Sequence, residues 1–261
     1  MNHIKGKRIL ITKSAEDCGI VFNDLVSMGA EIVYFPTIKI VPTYNSLDLT
    51  ELISNSGQYD YVVFTSANAV AVFSNLVIEY KPDLSRTKVA VIGNGTAEAC
   101  RSNGIFVHLI PGEFSAKGLL KRFSEKDIKG KKILVPCSSI AREELNIGLT
   151  ELGADVNNLP IYDTVFADPA ELVSELKFIN EHKPDLFVFT SPSSFHGFKN
   201  ILNIDSTHNY FSEKIICAIG TTTEDTIIKL GLTVNIVPDN FSLRGIAEAI
   251  KYYYSTTYNM V

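Results

Sequence analysis

The chain runs twice through one plan, and that constrains its fold more than any single motif does. Lys7-Arg8-Ile9-Leu10 recurs 124 positions later as Lys131-Lys132-Ile133-Leu134. Tyr34-Phe35-Pro36 recurs as Asn158-Leu159-Pro160, with the prolines again 124 apart. Phe64-Thr65-Ser66 returns as Phe189-Thr190-Ser191, an offset of 125. Ala90-Val91-Ile92-Gly93 matches Cys217-Ala218-Ile219-Gly220, and Phe114-Ser115-Ala116-Lys117-Gly118 matches Phe241-Ser242-Leu243-Arg244-Gly245, both 127 apart. Five matches in one order, drifting by three residues, mark an internal duplication.

Within each copy, short β-branched runs alternate with helical stretches. Strands are expected at 8–12, 31–35, 60–65, 88–92 and 106–110, then at 132–136, 155–159, 185–190, 214–219 and 233–237. Most are apolar throughout, as strands covered on both faces must be. Helices are expected near 16–28, 47–56, 67–80, 95–103, 116–124, 141–152, 169–182, 193–203, 222–230 and 243–254. Gly29, Gly104, Gly153 and Gly231 each suit the position just past a helix. Strand–helix alternation with short connections predicts an α/β fold of parallel sheets flanked by helices. Two sheets of about five strands each account for the 261 residues, and 46% hydrophobic against 20% charged residues can fill two such cores.

Ligands of open parallel sheets bind beyond the carboxyl ends of the strands. The segments there are Thr65-Ser66-Ala67-Asn68, Gly93-Asn94-Gly95-Thr96, Ser138-Ser139, Thr190-Ser191-Pro192-Ser193-Ser194 and Gly220-Thr221-Thr222-Thr223. All are small and polar, and each opens a helix. Taken singly, their serines and threonines are N-caps, with Pro192 at a first helical position. Taken together, they predict helix starts whose free N–H groups and partial positive charge favour anions. Each such contact contributes about 0.3–1 kcal/mol when exposed, so a ligand with many carboxylates sums several.

Other chemistries are poorly served. The 24 Lys and Arg against 29 Asp and Glu leave a net charge of −5, which excludes nucleic-acid binding by bulk charge. No apolar run approaches the roughly 18 residues of a membrane span, and polar Met1 to Arg8 does not read as a signal peptide. Cys18, Cys100, Cys137 and Cys217 are scattered, without zinc-type spacing, as isolated thiols of a reducing compartment are. These features point to the cytoplasm. Gly93-x-Gly95 has Glu98 where a dinucleotide fingerprint needs a small third residue, and no P-loop or nucleophile elbow exists. Among the histidines only His196, beside the 191–194 loop, is placed for chemistry, and Glu143-Glu144 belongs to a solvated helix face.

The ordered set Val63-Phe64-Thr65-Ser66-Ala67-Asn68-Ala69-Val70, Ile92-Gly93-Asn94-Gly95-Thr96-Ala97, Pro160-Ile161-Tyr162-Asp163-Thr164, Phe189-Thr190-Ser191-Pro192-Ser193-Ser194 and Ile219-Gly220-Thr221-Thr222-Thr223, with the duplication, resembles the uroporphyrinogen-III synthase family. The likeness runs from Arg8 to the region of Ile250. It implies two flavodoxin-like α/β domains whose copies exchange their first β-α-β units. Residues 1–36 and 167–261 would form one domain and 43–160 the other, with 37–42 and 161–166 paired as a two-stranded connector. Pro36, Pro42, Pro160 and Pro169 bound these segments, which suits stiff extended linkers and a hinge that closes over substrate.

The resemblance further implies a lyase of porphyrin and heme biosynthesis that needs no cofactor and no metal. It takes hydroxymethylbilane, a linear tetrapyrrole with eight carboxylates, to uroporphyrinogen III, with loss of water and inversion of the last ring. Such an enzyme works by positioning and electrostatic stabilisation. Tyr162 matches the family's candidate acid. Thr65, Ser66, Asn68, Gly93, Asn94, Thr96, Ser138, Ser191, Ser193, Ser194, Gly220, Thr221, Thr222 and Thr223 would meet the substrate, and Arg142 matches a basic position frequent in the family. Lys117 and Arg244, cations on first helical turns, hint at a ligand or sit in solvent. Lys13-Ser14, Pro136-Cys137 and Thr221 depart from the family's Arg-Pro, Arg-Gly and proline at those places, which weakens carboxylate clamping there. The expected protein is a monomer that touches its upstream deaminase at most transiently, with no nucleic-acid or membrane partner. A non-catalytic tetrapyrrole or small-anion sensor on the same scaffold is the alternative; a sugar-nucleotide transferase is a weaker one.

Overall fold

The computed structural model describes residues 3–43, 53–140 and 143–256. In chain order its strands are β1 (Arg8–Ile11), β2 (Glu31–Tyr34), β3 (Ile38–Pro42), β4 (Tyr61–Phe64), β5 (Lys88–Val91), β6 (Lys132–Ser138), β7 (Asp155–Phe166), β8 (Leu186–Phe189) and β9 (Ile215–Ala218). Its helices are α1 (Ala15–Cys18), α2 (Asn23–Ser27), α3 (Ala67–Tyr80), α4 (Asn94–Ser102), α5 (Ala116–Ser124), α6 (Glu144–Glu151), α7 (Val173–Glu181), α8 (Pro192–Ile201), α9 (Thr207–Tyr210), α10 (Thr221–Ile228) and α11 (Leu243–Thr256). The strands form two sheets, β2-β1-β8-β9 and β3-β7-β6-β4-β5. The chain divides into two compact units, Met1–Lys39 with Val165–Val261, and Ile40–Thr164.

Alternation along each strand explains the continuous apolar runs. In the second unit, Val62, Phe64 and Leu134 face α3, joining Phe73 and Leu76. Their neighbours Tyr61, Val63, Ile133 and Val135 join Leu119 and Phe123 of α5 and Leu145 and Leu149 of α6 on the opposite face. In the first unit, Ile9, Ile11 and Val188 pack with Phe22, Leu25, Ile246 and Ile250, whereas Leu10, Phe187 and Phe189 pack with Phe195, Phe198 and Phe211. Period-two side chains thus serve two cores per sheet. Each fully buried phenylalanine or leucine contributes about 1.5–3 kcal/mol.

Three expectations need correction. The sheets hold four and five strands, and one edge strand of the second is β3, from a segment expected as a linker. It runs against β7: Thr43 N–H donates to Ile161 O, and Ala167 N–H donates to Thr37 O. The segments at 106–110 and 233–237 are reduced to isolated bridges, Ala90 to Leu109 and Cys217 to Ile236. Side chains replace the next ladder bond: His108 Nδ1 accepts from Val89 N–H at 3.0 Å, and Asn235 Oδ1 accepts from Ile216 N–H at 2.9 Å. The helix expected at 16–28 is two, because Gly19, at φ +52°, ends α1 and donates its N–H to Ala15 O. The helix expected at 47–56 lies largely outside the described residues.

Candidate functional site

In the second unit β7, β6, β4 and β5 run parallel, so their carboxyl ends make one edge. Tyr162, Ser138, Thr65-Ser66 and Gly93-Asn94 follow one another along it. Tyr162 owes its place to a bulge. Cys137 stands opposite Pro160, but Ser138 stands opposite Tyr162, so Ile161 is the extra residue. Pro160 has no N–H for the ladder, which favours the slip. A regular strand would send Ile161 and Tyr162 to opposite faces; the bulge brings both into the cluster around Val70 and Phe73.

Tyr162 is only 5% exposed, and its hydroxyl lies 3.0 Å from Ser66 Oγ. Burial pushes the phenol above its usual value, and hydrogen bonds from the Ser66 and Ser138 hydroxyls oppose that shift without cancelling it. The phenol therefore keeps its proton at neutral pH. Ser66 is also the N-cap of α3, its Oγ accepting from Ala69 N–H at 3.1 Å. That leaves the N–H groups of Ala67 and Asn68 without intrahelical partners. Thr65, Ser66 and Asn68 are partly exposed, as is Ser138. Gly93 caps α4 with no side-chain bond; Asn94 beside it is exposed, whereas Thr96 is buried. Ser139 N–H donates to Tyr162 O at 3.1 Å, and the Ser139 hydroxyl donates to Asp163. Ser139 stood in the strand-end segment Ser138-Ser139 and Asp163 beside the tyrosine, but the sequence assigned neither a role of its own. Arg142 lies outside the described residues.

The first unit carries an analogous edge. Ser191 caps α8 in a reciprocal capping box with Ser194. Ser194 is wholly buried: its hydroxyl accepts from Ser191 N–H at 3.1 Å and from the Thr12 hydroxyl at 3.0 Å, and donates to Ser191 O at 2.8 Å. Thr37 donates to Ser194 O at 2.9 Å. Ser191 and Ser193 remain partly exposed. Gly220 caps α10; Thr221 and Thr222 are exposed and Thr223 is buried. Of the hydroxyls expected to line a site, Thr96, Ser194 and Thr223 are thus turned inward. His196 sits exposed on α8.

The repeated Phe-Ser-x-x-Gly motif has a structural origin. Ser115 and Ser242 cap α5 and α11 by accepting from the N–H of Gly118 and Gly245, at 3.0 and 3.1 Å. A Cβ on either glycine would lie 2.0 Å from a carbonyl oxygen, that of Glu113 or Asn240. Phe114 and Phe241 close over Gly93 and Gly220. Lys117 is exposed, and Arg244 pairs with Glu248 at 3.4 Å on the surface. All four cysteines are buried free thiols; burial pushes Cys18 and Cys100 up to about 11, which removes thiolate chemistry at neutral pH. Among the described residues no cluster of three or more His, Cys, Asp or Glu can hold a metal, and no helix is long and apolar enough to cross a membrane.

Comparison with known proteins bears on this arrangement. Residues 23–248 match the family described as uroporphyrinogen-III synthase HemD. The chain is 28% identical over 255 residues to a uroporphyrinogen-III synthase of Chlorobaculum parvum, covering 94% of this chain and 100% of the relative. It is 27% identical over 254 residues to that of Synechococcus elongatus, covering 94% and 95%. A uroporphyrinogen III synthase structure from Thermus thermophilus is similar over 96% of this chain and 99% of its own, with TM-score 0.67 and 15% identity. One from Helicobacter pylori covers 93% and 97%, with TM-score 0.59 and 16% identity. The match over most of its length means that this chain belongs to the uroporphyrinogen-III synthase family.

Proposed function

We propose that this chain is a uroporphyrinogen-III synthase that closes hydroxymethylbilane into uroporphyrinogen III with loss of water and inversion of the terminal ring. The family match supports the reaction, and the buried Tyr162–Ser66 pair at a carboxyl edge supports its placement. Ser66 Oγ accepts from Ala69 N–H, so its own proton is free for Tyr162 Oη. The phenolic proton is then available to the departing hydroxyl. As the C–O bond breaks, that proton leaves with the oxygen as water, and the carbon left behind is a cation. Hydroxyls and helix-start N–H groups of Thr65, Ser66, Asn68, Gly93, Asn94 and Ser138 in one unit, and of Ser191, Ser193, Gly220, Thr221 and Thr222 in the other, hold substrate carboxylates. Arg142 adds a cation to the same set.

Left alone, the cation closes on the nearest position of the last ring without inversion. The protein's task is to fold the chain so that the inverted closure is faster, which is catalysis by positioning. A lyase of this kind requires no redox cofactor, because no electrons change hands. The decisive experiment feeds hydroxymethylbilane, made in place by the deaminase, to the purified protein and separates the porphyrin isomers after oxidation. Type III product is expected. The type I product of spontaneous closure would overturn the reading and favour the sensor alternative.

A further inference from the structure

The second unit contains a cavity of about 390 Å³. Its walls are the carboxyl half of α3 (Phe73, Val77), Thr87 just before β5 with Val89 within it, and the segment after α4 (Ile105, Phe106). It falls within the roughly 300–1,000 Å³ of small-molecule pockets. No Asp, Glu, Lys or Arg lines it, so nothing there would offset the desolvation of a substrate carboxylate. Two of its lining residues, Phe106 at 75% and Ile78 at 71% exposure, leave large apolar surface in water at the rim.

Ser74, Ser85, Thr87, Asn103 and His108 interrupt the apolar lining, but the Ser74 hydroxyl and the Asn103 amide already donate to Val70 O and Ala99 O. Thr87 is buried, and its hydroxyl has no hydrogen-bond partner. His108 lines the cavity, and its Nδ1 accepts from Val89 N–H at 3.0 Å. The ring proton therefore sits on Nε2, which remains a donor. The Phe106 ring meets the His108 ring edge-on at 4.9 Å and fixes its plane at the mouth. The other copy builds the same junction with Asn235 Oδ1 in place of His108 Nδ1. Asparagine satisfies the strand equally well there, so the imidazole adds a donor that the fold does not require.

We propose that this cavity is a second ligand site, for a compact, neutral, largely aromatic molecule whose single carbonyl or ether oxygen accepts from His108 Nε2–H. The site takes the opposite chemistry from the polyanion of the proposed reaction and stands whether or not that reaction is correct. The chain has no tryptophan, so Phe106→Trp places a lone fluorescent donor at the rim. The probe is 6-propionyl-2-dimethylaminonaphthalene, which is neutral, carries one ketone and accepts energy from tryptophan. Saturable energy transfer with blue-shifted probe emission is expected, weakened at least fivefold when His108→Asn is added. His108→Asn keeps the Val89 bond, and an unchanged unfolding midpoint checks that the cavity is intact. Absence of saturable transfer, or transfer of equal affinity with His108→Asn, overturns the proposal.

Discussion

At the residue scale, two buried hydroxyls with similar surroundings have opposite assignments. Tyr162 meets the Ser66 and Ser138 hydroxyls at an edge where helix starts gather, whereas Ser194 spends its oxygen on Ser191 and Thr12 inside the first unit. Tyr162→Phe keeps the ring in its cluster and deletes only the proton. Turnover of hydroxymethylbilane is expected to fall at least tenfold, about 1.4 kcal/mol, with the unfolding midpoint little changed. Because burial raises the phenol above its usual value, the acid form persists as pH rises. Wild-type turnover should therefore show no loss from this group between about pH 7 and 9, and fall only above that range. A decline centred near neutrality would remove Tyr162 as the acid. Ser194→Ala should do the converse. It strands Ser191 N–H, while the Thr12 hydroxyl keeps Val188 O at 2.9 Å, costing about 1–3 kcal/mol in denaturant unfolding. The ratio of type III to type I product should be unchanged at temperatures where the variant is folded.

At the element scale, the glycines of the repeated Phe-Ser-x-x-Gly motif are set by close approach. Gly118→Ala and Gly245→Ala each drive a methyl group to 2.0 Å from a backbone carbonyl, which no rotamer can relieve. Each should lose about 1–3 kcal/mol or more of stability, against under about 0.5 for Gly112→Ala, whose new Cβ meets nothing within 4 Å. Equal midpoints for all three would show that the loops simply shift. The sequence revealed this motif as a repeat but not its cause, since the carbonyl five residues before each glycine meets it only through the conformation of the turn that leads into the helix. Strand spans such as 60–65 and helix spans such as 67–80 were legible from apolar runs and from Ser66 as cap. The segments at 106–110 and 233–237 looked like strands by composition, yet one side-chain acceptor in each stops the ladder after a single bridge. Tyr162 itself was legible only through family likeness, because the bulge that buries it depends on register against β6.

At the scale of the whole molecule, duplication and topology disagree about where the chain should be cut. Each sheet takes strands from both copies: β1 and β2 stand beside β8 and β9, and β4 and β5 beside β6 and β7. The joins are equivalent. Asp185 accepts from Arg8 N–H at 2.9 Å and pairs with Lys7, just as Asp60, 125 positions earlier, accepts from Lys132 N–H at 2.9 Å and pairs with Lys131. A fragment ending at 127, the repeat boundary, would hold β1 with β2 and β4 with β5 but neither β8 nor β6. Its strands would be left as separate pairs, which are marginal in water. The fragment 40–164 instead retains β4 to β7 in order and both apolar clusters of its sheet. With about 125 residues it buries enough surface to stand alone. It should give one cooperative unfolding transition by circular dichroism and fluorescence, whereas 1–127 should show none. A cooperative transition in 1–127, or its absence in 40–164, would mean that the copies fold as sequence repeats and exchange strands only afterwards.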